Sequence, residues 1–294
     1  MHAPNDPTTR YPVVAGRFYP ADAQQCRTLV DSYLKPKATT PKPWIGAVVP
    51  HAGWICSGAV AGQAIATLAA QGPVDLVVIF GAIHTPVFLQ QAALDSHRNW
   101  HLPGGESEVS QTVRTELAKQ ANYFVVDDRL HVREHAIEVN VPFVQRAFAG
   151  KPILPIEVPL VASAHLIGQA TAQAIAALGL HAAYIASSDL THYGPNYEFM
   201  PAGVGPMAML WEKDNDRQLL NLITNLAADR IVPEVHQHYN ACGAGAIAAL
   251  LGACREAGAT TAEVLCHTNS YETLATVHPQ PPTNAVGYAG VVVG

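Results

Sequence analysis

Charge is what this chain has least of. Only 14% of its 294 residues are Asp, Glu, Lys or Arg, where globular domains average about a quarter. So low a fraction implies extensive burial, in a core or against a second copy, and a homodimer is one expectation of the deficit. The net charge is −6 with histidine neutral, and no basic cluster stands out, which argues against a nucleic-acid partner. Cysteine is sparse as well. Cys26, Cys56, Cys242, Cys254 and Cys266 are odd in number and form no C-x-x-C pair, which argues against a disulfide framework or a closed thiolate zinc site. That usage fits a reducing, cytoplasmic compartment. No run of about 18 or more apolar residues occurs, so no membrane span is expected. The opening MHAPNDPTTRYP lacks the basic-then-apolar pattern of a signal peptide.

What the chain does have is apolar material, 49% of residues, at a length ample for a substantial core. Short β-branched runs alternate with Ala-rich segments of helical spacing. Strands are expected at Trp44–Pro50, Val74–Gly81, Pro152–Val158, Ala182–Ala186, Ala262–His267 and Val286–Val293. Helices are expected at Ser57–Gln71, Glu108–Ala121, Glu134–Phe148 (kinked or divided at Pro142), Ala164–Leu178, Met207–Asn225 and Gly243–Ala257. The Pro-rich stretches Lys35–Pro43 and His278–Pro282 read as surface loops within one fold. The alternation predicts a three-layer α/β/α single domain over residues 1–294, with a central sheet that is parallel or mixed.

Chemistry-bearing residues follow the strand-like runs. WIGAVV leads to Pro50–His51–Ala52–Gly53–Trp54, VDLVVIFG to Ala82–Ile83–His84, and AAYIA to Ser187–Ser188–Asp189–Leu190–Thr191–His192–Tyr193. In open α/β sheets the crevice beyond the carboxyl ends of the strands is the usual ligand site. Cys242 stands at the start of a small-residue helix, where the dipole favours a thiolate. Each residue also has a structural reading by itself: His51 and His84 in turns, Cys242 as a packed thiol, Asp189 as a cap or turn residue, His192 donating to a backbone carbonyl. Their common topological position favours a site. On a helix, Glu134 and Glu138 would share a face with each other, and His135 with Glu138. They read either as groups that orient a ligand imidazole or as a solvated helix start. The remaining histidines, including His236 and His238, read as structural.

Six segments in order resemble the Memo family, the protein B component of the AmmeMemoRadiSam group. They are VVAGRFYPAD (Val13–Asp22), VVPHAGWICSG (Val48–Gly58), FGAIHTP (Phe80–Pro86), EHAIEVNVPFVQ (Glu134–Gln145), SSDLTHYG (Ser187–Gly194) and CGAGAI (Cys242–Ile247), with VGYAGVVV (Val286–Val293) similar to the family's last strand. The resemblance implies a fold like that of the LigB-type class III extradiol dioxygenases. It also implies a pocket in which His51, His84 and Cys242 hold iron or copper, zinc being an alternative. Asp189 and His192 match further polar residues of that pocket, and Trp54 stands where the family often has Tyr. His135, Glu138 and Tyr193 are expected in or behind it. After Cys242 this chain has Gly-Ala-Gly-Ala where the family commonly has Gly-Arg-x-Pro, so a potential anion-binding Arg is missing.

A site of this kind implies a non-haem iron or copper oxidoreductase, dioxygenase-like, acting on a small molecule. Its third ligand would be Cys242 or Asp189, with His192 as general acid/base and Asp189 orienting it. Two other readings use the same pocket: a non-catalytic adaptor binding a small molecule or peptide, as animal members of the family are described, and a zinc-type hydrolase. The family's genome context implies a radical enzyme and an AMMECR-type protein as partners.

Overall fold

The computed structural model describes residues 6–39, 43–85, 88–275, 277–279 and 281–294. Parts of both Pro-rich stretches (residues 40–42 and 280), and Pro86 at the end of FGAIHTP, lie outside the described residues.

The core is a nine-stranded mixed sheet. Its order runs His192–Tyr193, Ala285–Val293, Gly46–Val49, Ala182–Ser187, Leu76–Ala82, Ile153–Val158, Ala92–Leu94, Phe124–Val126, and Ala262–Asn269 also pairs with Ala285–Val293. The middle four strands are mutually parallel. They are buried on both faces, which is why they read as unbroken apolar runs rather than alternating ones. Alternate residues still choose opposite layers. Leu76, Val78 and Phe80 pack with the helices Ala164–Ala177 and Ala244–Glu256, while Val77 and Ile79 pack with Trp54–Ala69 and Val141–Ala147. That division is the three-layer architecture, and the sheet is mixed rather than wholly parallel. A second, three-stranded sheet joins Thr9–Arg10, Asn99–Leu102 and Gly105–Glu108.

Two expected helices change form. Glu108 ends a strand, and the helix begins only at Gln111. The expected helix from Glu134 does not exist as one element. A turn and a short 3-10 segment, Glu138–Asn140, precede the helix Val141–Ala147, with Pro142 in its first turn. Proline lacks the N–H that an interior position must donate, but at the first turn that donor has no partner to lose. Glu134, His135 and Glu138 therefore do not share a helical face. His236 and His238 do lie on a helix, Ile231–His238, in its last turn.

The helices Ala164–Ala177 and Ala244–Glu256 touch backbone to backbone. A Cβ on Gly168 would run into the Ala249 carbonyl, and one on Gly252 into that of His165. Close approach here has no flexible side chain to yield. Gly168→Ala should therefore lower stability by about 1–3 kcal/mol or more, read as a lower urea midpoint with an unchanged denaturant slope.

Candidate metal centre

Parallel neighbours deliver their carboxyl-terminal loops to one sheet edge. Gly46–Val49 leads to His51, Leu76–Ala82 to His84, and Ala182–Ser187, which lies between them, to Asp189. Cys242 joins from the opposite direction, through a bridge between Leu190 and Ala241. Its own N–H donates to the Asp189 carbonyl at 3.3 Å. Gly243 follows where a Cβ would meet the Ser187 carbonyl and the Ser188 side chain, and its N–H donates to Ser188 Oγ at 2.9 Å. The result is that ligand atoms of His51, His84 and Cys242 all lie within 4.8 Å of one another. The His51 and His84 rings meet edge to face, 5.1 Å between centroids, and Cys242 Sγ is 3.3 Å from His51 Nε2.

Each of these side chains is held from behind. Asp189 Oδ1 accepts from the N–H groups of His51 at 2.8 Å and Ala52 at 3.2 Å, which fixes the Pro50–Ala52 turn. His84 donates its backbone N–H to Glu134 Oε2 at 2.7 Å, and its Nδ1 lies 2.8 Å from Glu134 Oε1. A carboxylate only accepts, so Nδ1 of His84 carries the proton and Nε2 is left open. This is the support that metal-bound imidazoles ordinarily have.

The electrostatics favour a neutral imidazole at His51 and a protonated thiol at Cys242, while His84 is drawn the other way. Burial pushes His51 down to about 4, against the pull of the Asp189 charge. Burial also disfavours charge on His84, but its hydrogen bond to Glu134 and that carboxylate's charge outweigh burial and raise it. Burial would raise Glu134 too, yet its hydrogen bonds with His135 and His84 hold it far below the carboxylate range. The thiol of Cys242 departs from the expectation set by its place near a helix start: burial, with the Asp189 charge adding to it, pushes it well up. Any metal taken up here must displace that proton.

The other expected residues scatter. His135 belongs to the cluster, stacked on His84 at 4.6 Å and edge-on to Phe18 at 5.0 Å. Glu134, His84 and His135 also bring ligand atoms close together. However, Glu134 Oε1 already accepts from His84 Nδ1 and from the N–H groups of His135 and Ala136, so the trio is a hydrogen-bonded support. Asp189 is absent from both close groups, and its Oδ1 is taken up by the two amides. His192 donates from Nδ1 to the Leu190 carbonyl at 3.0 Å and packs on Tyr197.

Three residues belong elsewhere. Glu138 is wholly buried in an ion pair with Arg10 at 2.7 Å, and it accepts from Val13 and Val14 N–H and from Tyr19 O–H. It anchors the VVAGRFYP segment, which bears Phe18. Trp54 points into the core, its Nε1–H on the Val139 carbonyl and its ring against Tyr19 and Phe143. Tyr193 bonds Gly203 and Ala202 and packs on Trp211. Their motifs placed them near the site in sequence, but strand and helix directions turned them away.

Ser187 and Asn140 were not singled out from sequence. Glu134 was visible only as one of a glutamate pair, and the collapse of the expected helix reverses the roles within that pair. A further group beneath the SSDLTHYG loop was also missed. Asp216 accepts from Thr191 N–H at 2.9 Å and pairs with His267 at 2.9 Å. Beside it buried Glu212 is pushed up to about 9 by burial and by the Asp216 charge. Its folded form thus keeps a proton that the unfolded chain releases above 4.5, so this group's contribution to stability falls as pH rises from 4.5 toward 9. Glu212→Gln, neutral at every pH, should flatten that part of the profile when urea midpoints of the two proteins are compared across pH 5–9.

No helix among the described residues is long and apolar enough to cross a membrane. The family model described as Memo-like protein matches residues 10–292. A MEMO1 family protein of Pyrococcus horikoshii is 29% identical to this chain over 294 residues, covering 97% of this chain and 99% of that one. Relatives in Methanococcoides burtonii and Methanosarcina barkeri, both also MEMO1 family proteins, are 32% and 33% identical, with the same coverage. With two imidazoles and a thiol gathered at one sheet edge, and with likeness extending along nearly its full length, the chain belongs to the Memo family.

Proposed function

We propose that this protein binds one iron or copper ion through His51 Nε2, His84 Nε2 and Cys242 Sγ and uses it in redox chemistry on a small molecule. The observation that carries the reading is that each of these three side chains brings a ligand atom within 4.8 Å of the other two. The donor set fits. Imidazoles suit iron and copper, and a thiolate is soft enough for Cu(I). Three protein ligands leave positions open for an exogenous molecule. Bound there, the ion would supply one-electron chemistry and a place for O₂.

The chain's own contributions are separate from the ion's. Glu134 fixes His84 through two hydrogen bonds. Asp189 holds the turn that presents His51. His192, with Nδ1 spent on a backbone carbonyl, keeps Nε2 free to exchange a proton with a bound molecule. Cys242 in place of the carboxylate usual in two-histidine iron oxygenases makes the site more easily oxidised than theirs. Efficient ring cleavage is therefore not the expected activity.

The test is metal content together with X-ray absorption at the iron and copper edges, on protein purified without air. Near one ion per chain is expected, with a sulfur scatterer present in the wild type and missing in Cys242→Ser. Protein that stays free of both metals under reducing, metal-replete conditions would refute the proposal.

A further inference from the structure

The support of His51 differs in kind from that of His84. Among the described residues no carboxylate is hydrogen-bonded to the His51 ring; its Nδ1 faces the hydroxyl of Ser187 at 3.0 Å. A hydroxyl can donate or accept, so this contact alone leaves the proton's position open. The neighbours of Ser187 close the question. Ser187 Oγ lies 2.6 Å from the Ala136 carbonyl oxygen, which can only accept, so the single hydroxyl proton goes there. Asn140 Nδ2 lies 3.2 Å from the Pro50 carbonyl and 3.0 Å from Ser187 Oγ. The carbonyl of Pro50 requires the NH₂ side of that amide, so Asn140 donates to Ser187 as well. With its proton given and one lone pair taken, Ser187 has one lone pair left, and His51 Nδ1 must donate to it. Nε2 of His51 is then bare and faces Cys242 Sγ at 3.3 Å.

We infer that Ser187 and Asn140 are positioning residues that hold His51 as its Nδ1–H tautomer, with Nε2 open toward Cys242. Every hydrogen-bonding position of the hydroxyl is filled and the residue is fully buried, so water cannot substitute for any of its partners. Asn140 is equally buried. Both Asn140 and Ala136 lie in the segment that carries Glu134. One stretch, Glu134–Asn140, therefore sets the tautomer of both imidazoles: that of His84 directly through a carboxylate, and that of His51 through a relayed hydroxyl. This assigns a task to residues that offer no ligand atom themselves. As a device for metal binding it rests on the proposal above, but the tautomer itself is a property of the metal-free chain.

Nitrogen-15 NMR of the metal-free, histidine-labelled protein tests it, with the His51 signals identified by their loss in His51→Gln. Wild-type His51 should be protonated at Nδ1. Ser187→Ala should shift the ring toward the Nε2–H form and weaken Co(II) binding, followed by its absorption spectrum, by roughly 10–100-fold. Asn140→Ala should do the same to a lesser degree, because the Ala136 carbonyl still takes the hydroxyl proton while Ser187 Oγ loses one of the donors that hold it against His51. An Nε2–H ring in the wild type overturns the inference without any variant having to fold. So does an unchanged tautomer in both folded variants. Failure of the wild type to bind Co(II), with His51 still protonated at Nδ1, would count against the metal centre while upholding the tautomer assignment.

Discussion

Gly46–Val49 pairs in parallel with Ala182–Ser187, and that strand in turn with Leu76–Ala82. Parallel pairing forces all three to end at the same edge, although Val49 and Ala182 are separated by about 130 residues of chain. His51, His84 and Asp189 each follow their strand within two residues of its last position. The register then decides distance. Val49 lies beside Ser187, and Ser187 is the residue whose hydroxyl meets the His51 ring. A slip of one residue would send these side chains to the opposite layer, since alternate positions face opposite sides. The site is thus a consequence of how the sheet is ordered, and the buried aliphatic runs that hold the sheet together also fix its chemistry.

The polar groups behind the ligands, Asp189, Glu134, Ser187, Ser188 and Asn140, are buried and must find their partners within the protein. The structure meets most of that demand with a network that spans five motifs, leaving Asn140 Oδ1 without a partner among the described residues. Asp189 binds the turn after the first strand, Glu134 binds the loop after the second, Ser187 links His51 to Ala136 and Asn140, and Ser188 binds the start of the Cys242 helix. Each motif is anchored by a partner from another. This explains why the segments recur together in one chain: none can hold its geometry alone. It also separates the two glutamates. Glu134 is inside the network, whereas Glu138 faces away and fastens the amino-terminal segment through Arg10.

The network leaves three unprotonated or displaceable positions on side chains that meet at one edge: Nε2 of each imidazole and the sulfur of Cys242. Pre-set tautomers mean that little rearrangement is needed to admit an ion, and the buried, protonated thiol means that admission is coupled to proton release. The rigidity comes from behind the ligands, so the face toward an incoming molecule stays open. Phe18, carried by the segment that Glu138 anchors, closes one side against His135.

The sequence by itself determined the layers and the candidates. Short β-branched apolar runs read as buried strands, Ala-rich stretches supply the covering helices, and His51, His84, Asp189 and Cys242 were legible because each follows or precedes such an element. What the sequence could not determine was direction. Whether a side chain near a motif faces the site depends on the turn taken by the backbone around it. Pro142 sits in a first turn rather than kinking a longer helix, and that one difference exchanged the roles of Glu134 and Glu138. Trp54 and Tyr193 lie one to three residues from site residues, yet helix and strand geometry points them into the core. Ser187 and Asn140 carry no signal in a linear reading, since a serine and an asparagine acquire a role only from what lies opposite them. Only the tertiary structure decided those oppositions, because they arise from pairings between residues about fifty to nearly two hundred positions apart.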